Sequence, residues 1–147
     1  MTVNEMFWVA VGLGFIGWVI WPNRFLWKDV GGTTAFEVAC YVIALAALLV
    51  GWYYNFAYLR AYGAEAGWWH WTKLLFDNPA AASGGQDLVF ANVILFPMWT
   101  IIDGRRAGMK VSWLYFPVSV FTSFAFAMAL FMAVKERQLR WNAAHGK

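Results

Sequence analysis

Apolar residues run along this chain in four long blocks, separated by stretches rich in charge, Gly, Pro and Asn. The blocks cover about residues 6–21, 35–59, 87–103 and 112–134. Each approaches the ~20 residues that a helix needs to cross a ~30 Å hydrocarbon layer. The pattern predicts an all-α integral membrane protein: four transmembrane helices in an up-down bundle, making one domain over residues 1–147. The first block is short for a full crossing unless it extends toward Trp27.

Polar positions inside the blocks recur at helical spacing. In the second block Glu37, Tyr41, Ala44, Leu48, Gly51 and Asn55 share one face. Its polar groups lie near the ends with small residues between them, a face suited to packing on another helix. In the third block Asn92, Phe96, Trp99 and Asp103 form one stripe, and Asp87 opens the helix off that stripe. A carboxylate in a first turn is favoured by the helix dipole. Pro97 removes one hydrogen bond and predicts a kink. In the fourth block Tyr115, Ser119, Thr122 or Ser123, and Phe126 form the stripe, with Pro117 in the early turns. The connection from Asp103 to Val111 is short, so the third and fourth helices are expected to pair antiparallel. Tyr115 then lies near the Asp103 end and Ser123 near Asn92, giving partners to groups that are costly when unpaired in lipid.

The 27 residues from Arg60 to Gln86 form the longest polar connection. Trp68, Trp71, Thr72 and Leu75 share one face there, predicting a short amphipathic helix in the membrane interface between helices 2 and 3. Gly12, Gly14 and Gly17 spell G-x-G-x-x-G, but neither the preceding strand nor the following amphipathic helix of a dinucleotide site is present. Ala10, Gly14 and Gly17 read instead as a close-packing face.

Composition sharpens the membrane assignment. Charged residues make up 13% of the chain, against about a quarter in soluble domains. Eleven Trp and thirteen Phe suit interfacial belts and lipid-facing surfaces. The formal charge of +3 comes from anchors flanking the blocks, not from a basic stripe, so nucleic acid is not an expected partner. The opening residues Asn4 and Glu5 lack a basic n-region, so the first block is expected to be retained. With four crossings, both termini and the long loop share a side with Arg60, Lys73, Lys135, Arg137, Arg140 and Lys147. The opposite side holds Arg24, Lys28, Arg105, Arg106 and Lys110. This narrow basic excess places both termini in the cytoplasm.

Little in the chain carries recognisable chemistry. Cys40 is alone, which excludes an internal disulfide and a cysteine metal cluster. His70 has no second ligand of the right type nearby and reads as an interfacial residue. No metal site is expected, and no cofactor is indicated. Asp87 and Asp103 are the candidate catalytic carboxylates. Asn92, Trp99, Tyr115 and Phe126 are the candidate ligand-binding residues. The favoured function is non-catalytic: a lipid- or isoprenoid-binding protein or an accessory subunit of a membrane complex. An alternative is an isoprenoid or carotenoid cyclase or isomerase, with a carboxylate as proton donor and aromatic faces stabilising a carbocation. A second alternative is a proton-coupled transporter or sensor. Expected partners are membrane lipid, an isoprenoid or pigment, and a larger membrane complex or further copies of the chain.

One string is specific. Asp103-Gly104-Arg105-Arg106 with Gly108-Met109 stands with Asn78-Pro79, Asp87-Leu88, Trp99, Trp113 and Glu136-Arg137. From about Trp69 to Arg140 the chain resembles a bacterial family of small membrane proteins, domain-of-unknown-function family 2834. The resemblance implies a four-helix fold in the cytoplasmic (inner) membrane and no established activity. Asp87-Leu88 at the start of a span is also similar to the neoxanthin synthase-like membrane proteins. Here it is followed by Val89-Phe90-Ala91-Asn92, without their Gly-Arg-Trp element. That likeness implies isoprenoid chemistry.

Overall fold

Every regular element among the described residues, 2–146 of the computed structural model, is helical. Helix α1 (Val3–Asn23) starts at a capping box. The Thr2 hydroxyl accepts from the Glu5 N–H at 3.2 Å, and the Glu5 carboxylate accepts from the Thr2 N–H at 3.0 Å. Two orphan donors of the first turn are thereby satisfied. Its 21 residues give about 31 Å of helix, enough for a crossing. A short α2 (Phe25–Asp29) leads to α3 (Ala35–Tyr62), which Thr34 caps and Gly63 stops with φ +51°. Helix α4 (Trp68–Leu74) stands where a short amphipathic helix was expected. Helix α5 (Pro79–Leu88), capped by Asn78, continues through a π-helical stretch (Val89–Leu95) into α6 (Phe96–Arg106). Three helical runs are long and apolar enough to cross a membrane: Val3–Asn23, Ala35–Glu65 and Pro79–Arg106.

The expected kink at Pro97 takes the form of that π-helix. Pro97 has no N–H to donate, and a proline ring crowds the carbonyl four residues back. A wider turn relieves the crowding, and the Phe96 N–H reaches Ala91 O, five residues back.

The fourth apolar block is not one helix, and this corrects the expected four-crossing bundle. It splits into α7 (Tyr115–Phe121) and α8 (Phe124–Ala144), and the chain doubles back at Thr122–Ser123. The Tyr115 and Phe131 rings meet at 5.1 Å, whereas sixteen residues of straight helix would separate them by ~24 Å. Gly104 lies against both Ser112 and Phe131 for the same reason. Local capping explains the turn. Thr122 Oγ1 donates to Val118 O at 2.6 Å, and Ser123 Oγ accepts from the Phe126 N–H at 3.1 Å. Polar residues read as a stripe thus act as a stop and a start.

Thr2 and the close of α8 consequently lie at opposite ends of the described molecule, not together. Thr2 sits beside the Glu5–Arg60 ion pair, at 2.7 Å, which defines an amino end. At the other end Asn142 donates to Ala107 O at 2.9 Å, and Arg137 donates to Leu26 O at 3.2 Å and Gly32 O at 3.1 Å. Three long runs are an odd number, and the α7–α8 hairpin returns to the end it left.

The apolar core fills the half of the molecule at that second end. Leu114, Tyr115, Val118, Ala127, Phe131 and Val134 are fully buried there. Glu37, also fully buried, holds Arg137 at 3.1 Å and Arg140 at 2.6 Å. Its place in the packing face of α3 is structural.

Candidate functional site

Because the α7–α8 hairpin turns back partway, the amino-end half of the bundle is left open beneath its tip. A cavity of about 550 Å³ occupies this space, within the range of small-molecule sites. The tip, with Ser119 and Phe121 to Ser123, forms its roof. Trp8 of α1, with Trp52 and Asn55 of α3, forms walls, and Asn92 enters from the π-helix. Trp68, Trp71 and Thr72, three of the four residues read as one amphipathic face, close it from α4. None of the lining residues carries a charge.

Close backbone approach seats the roof. A Cβ placed on Gly12 would lie 3.1 Å from Phe121 O, and one on Gly51 would lie 2.8 Å from the Ser123 Cβ. Gly14 and Gly17, expected at a contact, face open space; Gly12 makes the contact instead. Ser123 Oγ donates to Ala47 O at 3.2 Å, and Asn55 Nδ2 donates to Thr122 O at 3.4 Å. Ser119 Oγ lies 2.7 Å from both Asn92 Oδ1 and Phe116 O. Ser119 has one hydrogen for these two acceptors; with it on Phe116 O, the Asn92 amide turns its nitrogen to the hydroxyl oxygen and keeps one N–H spare.

The α4 cover is tied to α3 through one hydroxyl. Tyr58 Oη accepts from the Gly67 N–H at 3.0 Å and sits 2.9 Å from His70 Nδ1. The Tyr62 and His70 rings meet edge-on at 4.6 Å. His70 thus serves the cover of the cavity and does not line it.

The other singled-out residues scatter. Asp87 is exposed and accepts from Gln86 Nε2. Asp103 pairs with Lys135 of α8. Neither lines the cavity. Trp99 packs on Phe131 at 4.8 Å and borders a shallow depression with Phe96 and Phe124. Tyr115 and Phe126 are buried in the core. Of the candidate ligand-binding residues, Asn92 alone lines the cavity. The Asn92–Phe96–Trp99–Asp103 stripe otherwise runs along α8, with Phe96 against Phe124 at 5.2 Å.

The hairpin string divides its work residue by residue. Gly108 takes φ +78°; its N–H donates to Arg105 O at 3.0 Å and that of Met109 to Gly104 O at 2.8 Å. This is a Schellman stop to α6. Gly104 lies inside α6, where a Cβ would come within 2.6 Å of the Ser112 Cβ. Arg105 and Arg106 point outward.

Sequence reading missed Glu5, Asn55, Ser119 and Arg137 as structural hubs. The Thr2–Glu5 spacing is a capping-box signal; the others depend on contacts far apart in sequence.

The family model described as "Protein of unknown function DUF2834" matches residues 40–137. No curated protein and no solved structure matches the chain. The matched range holds most of α3, the cavity cover, the π-helix, the hairpin string and the re-entrant tip, while α1 lies outside it. The chain belongs to the DUF2834 family.

Proposed function

We propose that this protein resides in a bacterial cytoplasmic membrane and binds a lipid-like molecule without transforming it. The carrying observation is the uncharged, tryptophan-walled cavity under the re-entrant tip. Such a space suits an amphipathic guest whose body is apolar. The carboxylates on which a cyclase or proton-coupled transporter would rely lie elsewhere, Asp87 at the surface and Asp103 against Lys135. This favours binding over proton transfer.

The basic residues support one orientation. Arg24, Lys28, Arg105, Arg106, Lys110, Lys135, Arg137 and Arg140 belong to the end that holds the loops after α1 and α6 and the close of α8. Arg60 and Lys73 belong to the amino end. Eight against two is a strong positive-inside bias. It supports an orientation with the close of α8 in the cytoplasm and the amino end outside. The cavity then lies in the outer leaflet.

Native mass spectrometry on protein extracted gently from its own membrane, with lipid extraction in parallel, tests binding. The expected result is a stoichiometric small-molecule adduct. Ligand-free protein in every preparation overturns the reading.

A further inference from the structure

Resting on the binding reading above, we infer that the guest is an uncharged lipid whose headgroup presents a carbonyl oxygen on a flat ring, the chemistry of an isoprenoid quinone. Asn92, Asn55 and Ser119 gather at the cavity's roof, apart from Asn4, Tyr58 and Thr72 on its other walls. Asn92 meets the Ser119 hydroxyl at 2.7 Å, and that hydroxyl also faces Phe116 O, so in either orientation the Asn92 amide keeps at least one N–H for a guest. Asn55 Nδ2 uses one of its two hydrogens, on Thr122 O. The amide groups therefore offer spare donors beside the tip, and a carbonyl oxygen accepts without bringing a charge. No Lys, Arg or His lines the site to neutralise a phosphate or carboxylate, so an anionic headgroup would stay unpaired in a low-dielectric space.

Shape points the same way. Trp8, Trp52, Trp68 and Trp71 present indole surfaces to the cavity, and a planar ring matches such faces. Asn92 owes its position to the π-helix ahead of Pro97, the kind of local widening that recurs at functional sites. The volume of about 550 Å³ holds a ring and the first prenyl units. A longer tail would leave toward lipid.

The test is a competition on the full-length protein in zwitterionic nanodiscs, read by native mass spectrometry. Three compounds with one prenyl chain are offered at equal concentration: a benzoquinone, the prenyl alcohol and the plain hydrocarbon. One hydrogen-bonded carbonyl predicts about fivefold to tenfold retention of the quinone over the hydrocarbon. In Asn92→Leu, checked for an unchanged melt, that ratio falls toward one while hydrocarbon binding persists. Because the wild-type competition needs no variant, a misfolded Asn92→Leu does not spare the inference. Equal retention of quinone and hydrocarbon overturns the headgroup assignment and leaves the binding reading standing. Preference for the alcohol overturns the carbonyl specifically. Retention of none of the three overturns the binding reading along with it.

Discussion

Gly51 of α3 and Ser123 of the re-entrant tip meet so closely that a methyl group at position 51 would lie 2.8 Å from the serine Cβ. The same serine caps α8 and donates to Ala47 O. The roof of the cavity is therefore held against α3 by one glycine contact, one hydroxyl and the Asn55 amide on Thr122 O. Gly51→Ala is expected to lower stability by about 1–3 kcal/mol, the usual cost of overpacking. Gly14→Ala, in open space, is expected to be neutral or slightly stabilising. Thermal melts of both variants in detergent check the pair, and equal melting points would refute a seated tip.

Glu37 is enclosed by Arg137 and Arg140, and Arg137 also gathers the loop after α2 through Gly32 O and the Thr33 hydroxyl. Removing one member of a buried pair leaves an uncompensated charge, at a cost of about 3–5 kcal/mol. Glu37→Ala is expected to destabilise by that order and to expose the loop over residues 30–33 to protease. A melt within error of wild type would show that the cluster is dispensable.

The number of crossings can be read with single cysteines in a Cys40→Ala background. Asp77→Cys, at the amino end, should react with an impermeant maleimide in intact cells. Arg106→Cys and Ala144→Cys, both exposed positions, should react only after permeabilisation. Labelling of positions 77 and 144 from the same side would restore a four-crossing bundle.

Tyr58 links α3 to the cavity cover through the Gly67 N–H and His70 Nδ1. Tyr58→Phe deletes the hydroxyl and keeps the ring. Amide exchange over residues 67–74 is expected to accelerate about fivefold to tenfold, for the loss of roughly one net hydrogen bond. The global melt should barely move. Unchanged exchange would mean that the tryptophans alone hold the cover.

The three long helices were legible because apolar length is a property of the string itself. The short helix α4 was legible from the shared face of Trp68, Trp71 and Thr72. Thr122 and Ser123 were visible as polar residues, yet their helical spacing with Tyr115 and Ser119 suggested a continuous stripe. Only the packing of Tyr115 on Phe131 reveals a stop and restart. The expected fourth crossing followed from that stripe, and with it Lys135, Arg137 and Arg140 were grouped with Arg60 and Lys73 at the amino end. The hairpin string stood out as specific, but assigning Gly104 to a contact and Gly108 to a left-handed turn required the placement of Ser112. Asn92 was identified from its place inside an apolar block, whereas the cavity it faces is made by residues from five separate parts of the chain.

The doubled-back hairpin also gives the molecule unequal girth. Five helices, α1, α3, α6, α7 and α8, share the half beside the basic loops, while α1, α3 and the α5–π run frame the other half around the cavity. An inclusion of this form displaces more area from one leaflet than from the other. With a fixed orientation every copy imposes a bend of the same sign, and filling the cavity with a guest reduces it. Under the proposed binding, occupancy would be coupled to membrane curvature: the empty and loaded proteins would favour differently curved regions of one bilayer.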